Sequence, residues 1–160
     1  MKALEVIFVG CGATLFMDAY SFILKIYFGV QSLDYRVIGR WLIYLSKAKF
    51  IHHTIMQTPE VKYEKVFGWL SHYLIGILFS AIFFQYTINH PSPTLLSALT
   101  FGLVTVVIPF LIIQPCLGFG LAASKMPLVW IARFKSIGHH LIFGLGLYLS
   151  FQIYHYVWLS

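Results

Sequence analysis

Residues 3–28 read ALEVIFVGCGATLFMDAYSFILKIYF, an apolar run that holds a carboxylate, Asp18, far from either end. At about 1.5 Å of helical rise per residue, the run is long enough to cross the roughly 30 Å hydrocarbon core of a bilayer. Because polar groups that face lipid have no hydrogen-bond partner, its polar face is predicted to contact other helices. That face carries small and polar residues at spacings of three or four: Gly10, Thr14, Asp18, Ser21 and Lys25.

The whole chain has the composition of a membrane protein. Of its 160 residues, 59% are hydrophobic and only 10% are charged, whereas soluble domains carry about a quarter charged residues. An excess of 11 Lys and Arg over 5 Asp and Glu would suit nucleic-acid binding in a soluble domain. In a chain this apolar it instead indicates basic loops that set membrane orientation. We therefore expect the lipid bilayer, and no nucleic acid, as partner.

Four apolar segments predict an all-α, single integral-membrane domain over residues 1–160, built as an antiparallel four-transmembrane-helix bundle. The predicted spans cover about residues 3–28, 66–88, 94–117 and 137–158. Between the first two spans, WLIYLSKAKFIHHTI at residues 41–55 is too short to cross, and two lysines interrupt it. It predicts an interfacial helix, with a re-entrant segment as the alternative. Pro109 and Pro115 predict a broken helix in the second half of the third span.

The basic residues predict the orientation of these spans. Ten of the 11 Lys and Arg residues lie in Lys25–Lys65 or Lys125–Lys135, and the turn Asn89–Pro93 has none. The positive-inside rule then puts both basic stretches in the cytoplasm, and both termini and the turn outside.

This orientation places four polar side chains in the cytoplasmic half of the bilayer. Asp18 lies about ten residues, or roughly 15 Å, from the cytoplasmic end of its span. The other three lie near the same end of their own spans, on helices that a tilted or partly hydrated bundle brings together. On the last span, His139 is about 100° away from the polar stripe around His140, so His140 is the inward-facing candidate. The predicted intramembrane polar cluster is Asp18, His72, Gln114 and His140.

The cluster is compatible with several roles. A carboxylate near the bilayer centre costs about 2.5–3.5 kcal/mol on insertion scales, so such residues usually serve a proton, ion or substrate path or tie helices together. His72 and His140 fit a proton relay with Asp18, haem ligation between two helices, or plain hydrogen bonding. Close helix packing is predicted at Gly10, Gly12, Gly76, Gly144 and Gly146.

The sequence predicts no catalytic residue, metal site or cofactor. It has no HxxxH or HExxH pattern, and the pair His139-His140 diverges on a helix. No nucleophile motif accompanies its Ser, His and Asp residues. A non-enzymatic role is therefore favoured.

Five stretches together resemble a bacterial family of small four-helix inner-membrane proteins, known as a domain of unknown function and loosely labelled permease. The resemblance spans nearly the whole chain and implies a multi-pass protein of the bacterial inner membrane, without an established activity. The stretches are GCGATLFMD at Gly10–Asp18, GRW at Gly39–Trp41, GWLSHYLIG at Gly68–Gly76, QPCLGFGLAAS at Gln114–Ser124 and HHLIFGLGLYL at His139–Leu149.

The leading hypothesis is a small permease-like or transport-associated protein with Asp18 as its intramembrane titratable group. Four spans are few for a complete pathway, so a homo-oligomer or a membrane partner is expected. One alternative is a structural or accessory membrane subunit without transport. The other is a haem-binding or lipid-active membrane protein.

Overall fold

Helices form wherever the sequence is continuously apolar. The computed structural model describes residues 3–31, 34–87 and 93–158, and within those ranges it contains helices and no β-strand. The all-α prediction is therefore confirmed. The helices are α1 (Ala3–Phe28), α2 (Tyr35–Leu45), α3 (Glu64–Tyr86), α4 (Leu95–Thr105), α5 (Gln114–Cys116) and α6 (Val129–Trp158).

Three helical stretches have the length and apolar composition needed to cross a membrane: Ala3–Phe28, Glu64–Tyr86 and Leu95–Cys116. They match the first three predicted spans to within a few residues. Large apolar side chains on them are exposed, such as Leu15 at 61% and Phe22 at 64%, as expected of surfaces that contact lipid.

The fourth predicted span lies within α6, which is 30 residues long. α6 is not one of the three stretches named above, because the polar stripe around His140 lowers its mean hydropathy. A four-span bundle therefore stays a prediction. Of the predicted outer turn Asn89–Pro93, residues 89–92 lie outside the described part of the chain.

The third apolar segment is broken where its prolines predict a break. Regular α-helix ends at Thr105, and a π-helical turn follows over Pro109–Ile113. There the backbone N–H of Gln114 donates to the carbonyl of Pro109, five residues back rather than four. Proline has no N–H to donate and its ring crowds the preceding turn, so the ladder is rearranged at this point.

The helix predicted at residues 41–55 is shifted in the structure. α2 begins at Tyr35 and ends at Leu45. The Asp34 side chain starts it by accepting from the backbone N–H of Arg36 at 2.9 Å. At the other end Ala48 has a φ of 55°, a left-handed conformation that turns the chain back. The helix is thus shorter and earlier than predicted, and its location in an interface stays a prediction.

The chain forms two compact units. The first contains the described residues of Met1–Gln31, Tyr73–Thr105 and Ile137–Ser160. In it α1, α3, α4 and α6 meet at glycines: a Cβ on Gly10 would lie 2.6 Å from Cα of Ile77, and one on Gly146 would lie 2.8 Å from Cα of Ala13. The buried core of this unit is Val9, Ala13, Phe83, Ala98, Phe143, Leu147 and Phe151.

The second unit contains the described residues of Ser32–His72 and Val106–Ser136, and its centre is an ion pair. Arg40 is only 6% exposed. Its Nε and Nη2 donate to the two carboxylate oxygens of Glu64 at 2.8 and 2.9 Å, and its Nη1 donates to the carbonyl of Thr58 at 2.9 Å. The hydrogen bond to Glu64 raises the pKa of Arg40. Arg40 therefore holds together the inside of this unit.

His52 lies buried in the same unit. Its Nδ1 is 2.8 Å from the hydroxyl of Thr58, and its backbone N–H donates to the carbonyl of Cys116 at 2.9 Å. Burial, and then the charge of Lys49, lower the pKa of His52. The neutral imidazole is therefore favoured in the folded protein.

Candidate functional site

Asp18 is hydrogen-bonded to a tyrosine on a neighbouring helix. The hydroxyl of Tyr73 on α3 donates to Oδ2 of Asp18 on α1 at 2.9 Å, and both side chains are half-buried. One turn earlier on α1, Thr14 is buried against Gly76 of α3 and donates to the carbonyl of Gly10 at 2.8 Å. The part of this face that carries Gly10, Thr14 and Asp18 therefore packs on α3, in agreement with the prediction that the face contacts other helices.

The two adjacent histidines of α6 contact different helices. A ring nitrogen of His139 lies 2.8 Å from the hydroxyl of Ser21 on α1, and the ring of Tyr20 meets it edge-on at 5.1 Å. The Nδ1 of His140 lies 2.7 Å from the hydroxyl of Thr105 on α4. Neighbouring residues of a helix point about 100° apart, so adjacent side chains can reach two different helices packed against it.

The hydroxyl of Thr105 defines the tautomer of His140. Thr105 donates its single proton to the carbonyl of Gly102 at 2.6 Å. Towards His140 it therefore acts as acceptor, which places a proton on Nδ1 of the imidazole. In the neutral ring Nε2 then carries the lone pair and is the atom that can take up a further proton.

These contacts form one layer of polar pairs in the first unit, which we call the polar layer: Asp18–Tyr73, Ser21–His139 and Thr105–His140. Each pair joins two helices, and the layer involves α1, α3, α4 and α6. Asp18 and Ser21 are three residues apart on one helix face, and the histidines are adjacent. A carboxylate, a phenol, two hydroxyls and two imidazoles are all groups that can pass or hold a proton.

The four residues predicted to cluster are divided between the two units. Asp18 and His140 belong to the polar layer. His72 lies in the second unit, where its ring stacks on that of Tyr35 with centroids 4.1 Å apart. Gln114 is also in the second unit, where its Nε2 donates to the hydroxyl of Ser136 at 3.3 Å. The four-residue cluster itself stays a prediction.

The sequence does not single out three residues of the polar layer, which are Tyr73, Thr105 and His139. The helical wheel of the last span excludes His139, because it lies off the polar stripe. That criterion assumes that a helix has one interior face, whereas α6 contacts both α1 and α4. Tyr73 follows the more conspicuous His72, yet a tyrosine hydroxyl inside an apolar helix needs a partner, and that signal was present in the sequence.

Among the described residues, no three His, Cys, Asp or Glu side chains lie close enough together to hold a metal ion.

Comparison with known proteins gives one family, whose sequence model is described as "Protein of unknown function (DUF2938)" and matches residues 7–154. The match confirms the predicted resemblance to a family of unknown function. Neither curated proteins nor solved structures give a match.

Proposed function

We propose that this chain, which belongs to the DUF2938 family, is a small permease-like or transport-associated membrane protein in which Asp18 gains and loses a proton. The observation that carries the proposal is the 2.9 Å hydrogen bond from Tyr73 to Asp18, made between two apolar helices. A carboxylate inside a bilayer costs free energy. Proteins that keep one there commonly use it to transport protons or polar solutes.

The charge of Asp18 is coupled to the contact between α1 and α3. An ionised carboxylate is a strong acceptor for the hydroxyl of Tyr73, and protonation of Asp18 weakens that bond. Proton uptake therefore changes the free energy of the α1–α3 contact. A change that favours one helix arrangement over another is what couples proton binding to movement in a carrier. The imidazoles of His139 and His140 supply further proton-exchanging groups in the same polar layer.

Proton flux tests this role of Asp18. Proteoliposomes with an internal pH dye and an imposed potential are expected to acidify with the natural protein, and Asp18→Asn is expected to reduce the rate to that of empty vesicles. Asparagine keeps the shape and the acceptor oxygen but cannot carry the proton. Tyr73→Phe is expected to leave a reduced rate. Glu60→Gln is the matched control, because Glu60 is a carboxylate whose side chain is 76% exposed. A flux in Asp18→Asn equal to that of the natural protein would exclude Asp18 as the carrier.

A structural or accessory membrane subunit is the second candidate, and it has its own supporting observation. Polar pairs join helices elsewhere too: a ring nitrogen of His155 on α6 lies 2.9 Å from a carboxylate oxygen of Glu5 on α1. In that case hydrogen bonding matters and proton transfer does not. Asp18→Asn, which still accepts from Tyr73, then assembles normally, whereas Asp18→Leu loses the folded peak in size-exclusion chromatography. Under the transport proposal, by contrast, Asp18→Asn assembles correctly and still loses its proton flux.

The proposal includes four spans in the bacterial inner membrane, with α6 as the fourth, and a homo-oligomer or a membrane partner to complete a pathway. The basic stretches lie in the cytoplasm and the termini outside. Alkaline phosphatase fused within the Asn89–Pro93 turn or at the C-terminus is expected to be active, and green fluorescent protein at the same sites dark. Because the turn has no Lys or Arg while both flanking stretches are basic, the opposite pattern at the turn would overturn this orientation.

A further inference from the structure

The carboxylates of the second unit are already engaged by two arginines. The chain has five acidic residues, and three lie in this unit: Asp34, Glu60 and Glu64. Asp34 pairs with Arg36 at 2.7 Å, while Glu64 and Glu60 pair with Arg40 at 2.8 and 3.3 Å. These three ion pairs are made by arginines and not by the lysines of the unit.

Two of these lysines are held beside one aromatic ring. After α2 ends, the N–H groups of Lys47 and Lys49 both donate to the carbonyl of Tyr44, at 3.0 and 3.1 Å. The left-handed Ala48 between them folds the chain back. As a result Nζ of Lys47 and Nζ of Lys49 lie 5.1 and 5.4 Å from the centroid of the Tyr44 ring. Both charges thus lie beside one ring, which raises the positive potential around it and favours an anion nearby.

The residues next to the two lysines are large, apolar and exposed. Phe50, which directly follows Lys49, is 60% exposed, and Ile51 is 71% exposed. The indole N–H of Trp41 donates to the carbonyl of Phe50 at 2.8 Å and so fixes the end of the turn. Cations, a tyrosine and a tryptophan beside exposed apolar side chains are the composition of surfaces that sit in lipid headgroups.

We propose that the turn of residues 46–51, which we call the lysine turn, binds the phosphate of anionic phospholipid headgroups. Lys47 and Lys49 contact the phosphate, and Phe50 and Ile51 enter the adjoining acyl region. An anionic lipid matches both the charged and the apolar side chains of this surface. An acidic soluble protein would match the charged side chains but leave the apolar ones without a partner of their kind. Three helical stretches of the same chain are also long and apolar enough to cross a bilayer, so a lipid surface is a partner that the chain can meet. The inference does not depend on the transport role of Asp18.

Lipid-dependent stabilisation of the purified full-length protein tests the site. In a neutral detergent, added phosphatidylglycerol is expected to raise the melting temperature, while phosphatidylcholine with the same acyl chains is not. Lys47→Gln/Lys49→Gln is expected to weaken the apparent affinity for phosphatidylglycerol about fivefold per lysine, or roughly 25-fold for the pair. Both side chains are exposed, so the variant is expected to fold normally.

The matched control is Lys62→Gln/Lys65→Gln, which removes two exposed lysines of the same unit and the same total charge. It is expected to keep the phosphatidylglycerol response. Equal losses in both double variants would mean attraction by overall charge, and an unchanged response in Lys47→Gln/Lys49→Gln would mean another site. Either result overturns the proposal. So does an equal response to glycerol phosphate, which would indicate a site for a free anion.

Discussion

Replacing Arg40 with methionine is expected to lower the free energy of unfolding by about 3–5 kcal/mol, the usual cost of removing one member of a buried ion pair. The side chains of Arg40 and Glu64 are both 7% exposed. Without the guanidinium, the carboxylate of Glu64 loses its buried cation and the carbonyl of Thr58 loses its donor at 2.9 Å. The measurement is the fraction folded during titration with sodium dodecyl sulfate in mixed micelles.

Arg36→Met provides the control, because Arg36 lies on the same helix and also pairs with a carboxylate. Its pair with Asp34 is about half exposed on both sides, and exposed pairs contribute roughly 0–1 kcal/mol. The double variant Arg40→Met/Glu64→Leu is expected to be more stable than Arg40→Met alone, because it removes the stranded charge. If Arg40→Met and Arg36→Met had equal effects, the ion pair would not be the centre of the second unit.

The apolar segments were predictable because they depend on one property, which is the length of an uninterrupted apolar run. About 20 apolar residues in sequence are enough to specify a helix of membrane-spanning length. The prolines likewise predicted the break after Thr105 without knowledge of any neighbour. Such features are local, so a single sequence contains them.

Arg40 was not predictable as an internal residue, because its environment depends on contacts distant in the chain. Loop composition treats every Lys and Arg alike, and it does not distinguish Arg40 from Arg36 and the lysines. Its partner Glu64 is 24 positions away, at the start of α3. The sequence did contain one signal. A buried arginine needs an acidic partner, and the chain has only five acidic residues from which that partner can come.

The polar layer was predictable only in part, for a related reason. The helical spacing identified the face of α1 that carries Asp18, and that face does contact other helices. Which residues of α3 Asp18 meets depends on helix rotation, and Tyr73, which donates to it, lies about 100° from His72 around the helix. A helical wheel cannot determine rotation to that precision when both residues are polar.

Replacing Gly10 with leucine is expected to disrupt the packing of α1 on α3 and to abolish the folded protein. Even a Cβ at this position would lie 2.6 Å from Cα of Ile77 and 2.9 Å from the carbonyl oxygen of Gly76, so backbone has to move. Overpacking in a tight core costs about 1–3 kcal/mol, and more where backbone is displaced. Gly10→Ala is therefore expected to be destabilising and Gly10→Leu more so.

Helix propensity acts in the opposite direction, which makes the test specific. Alanine is favoured over glycine in a helix interior by roughly 0.8–1.0 kcal/mol and leucine ranks just below alanine, so any loss of stability comes from packing. Ala19→Leu is the control, because Ala19 is an exposed small residue of the same helix. It is expected to leave the melting temperature and the folded yield unchanged. Equal tolerance of leucine at positions 10 and 19 would mean that the face of α1 carrying Gly10, Thr14 and Asp18 does not pack closely on α3, and would remove the structural basis for the bond between Asp18 and Tyr73.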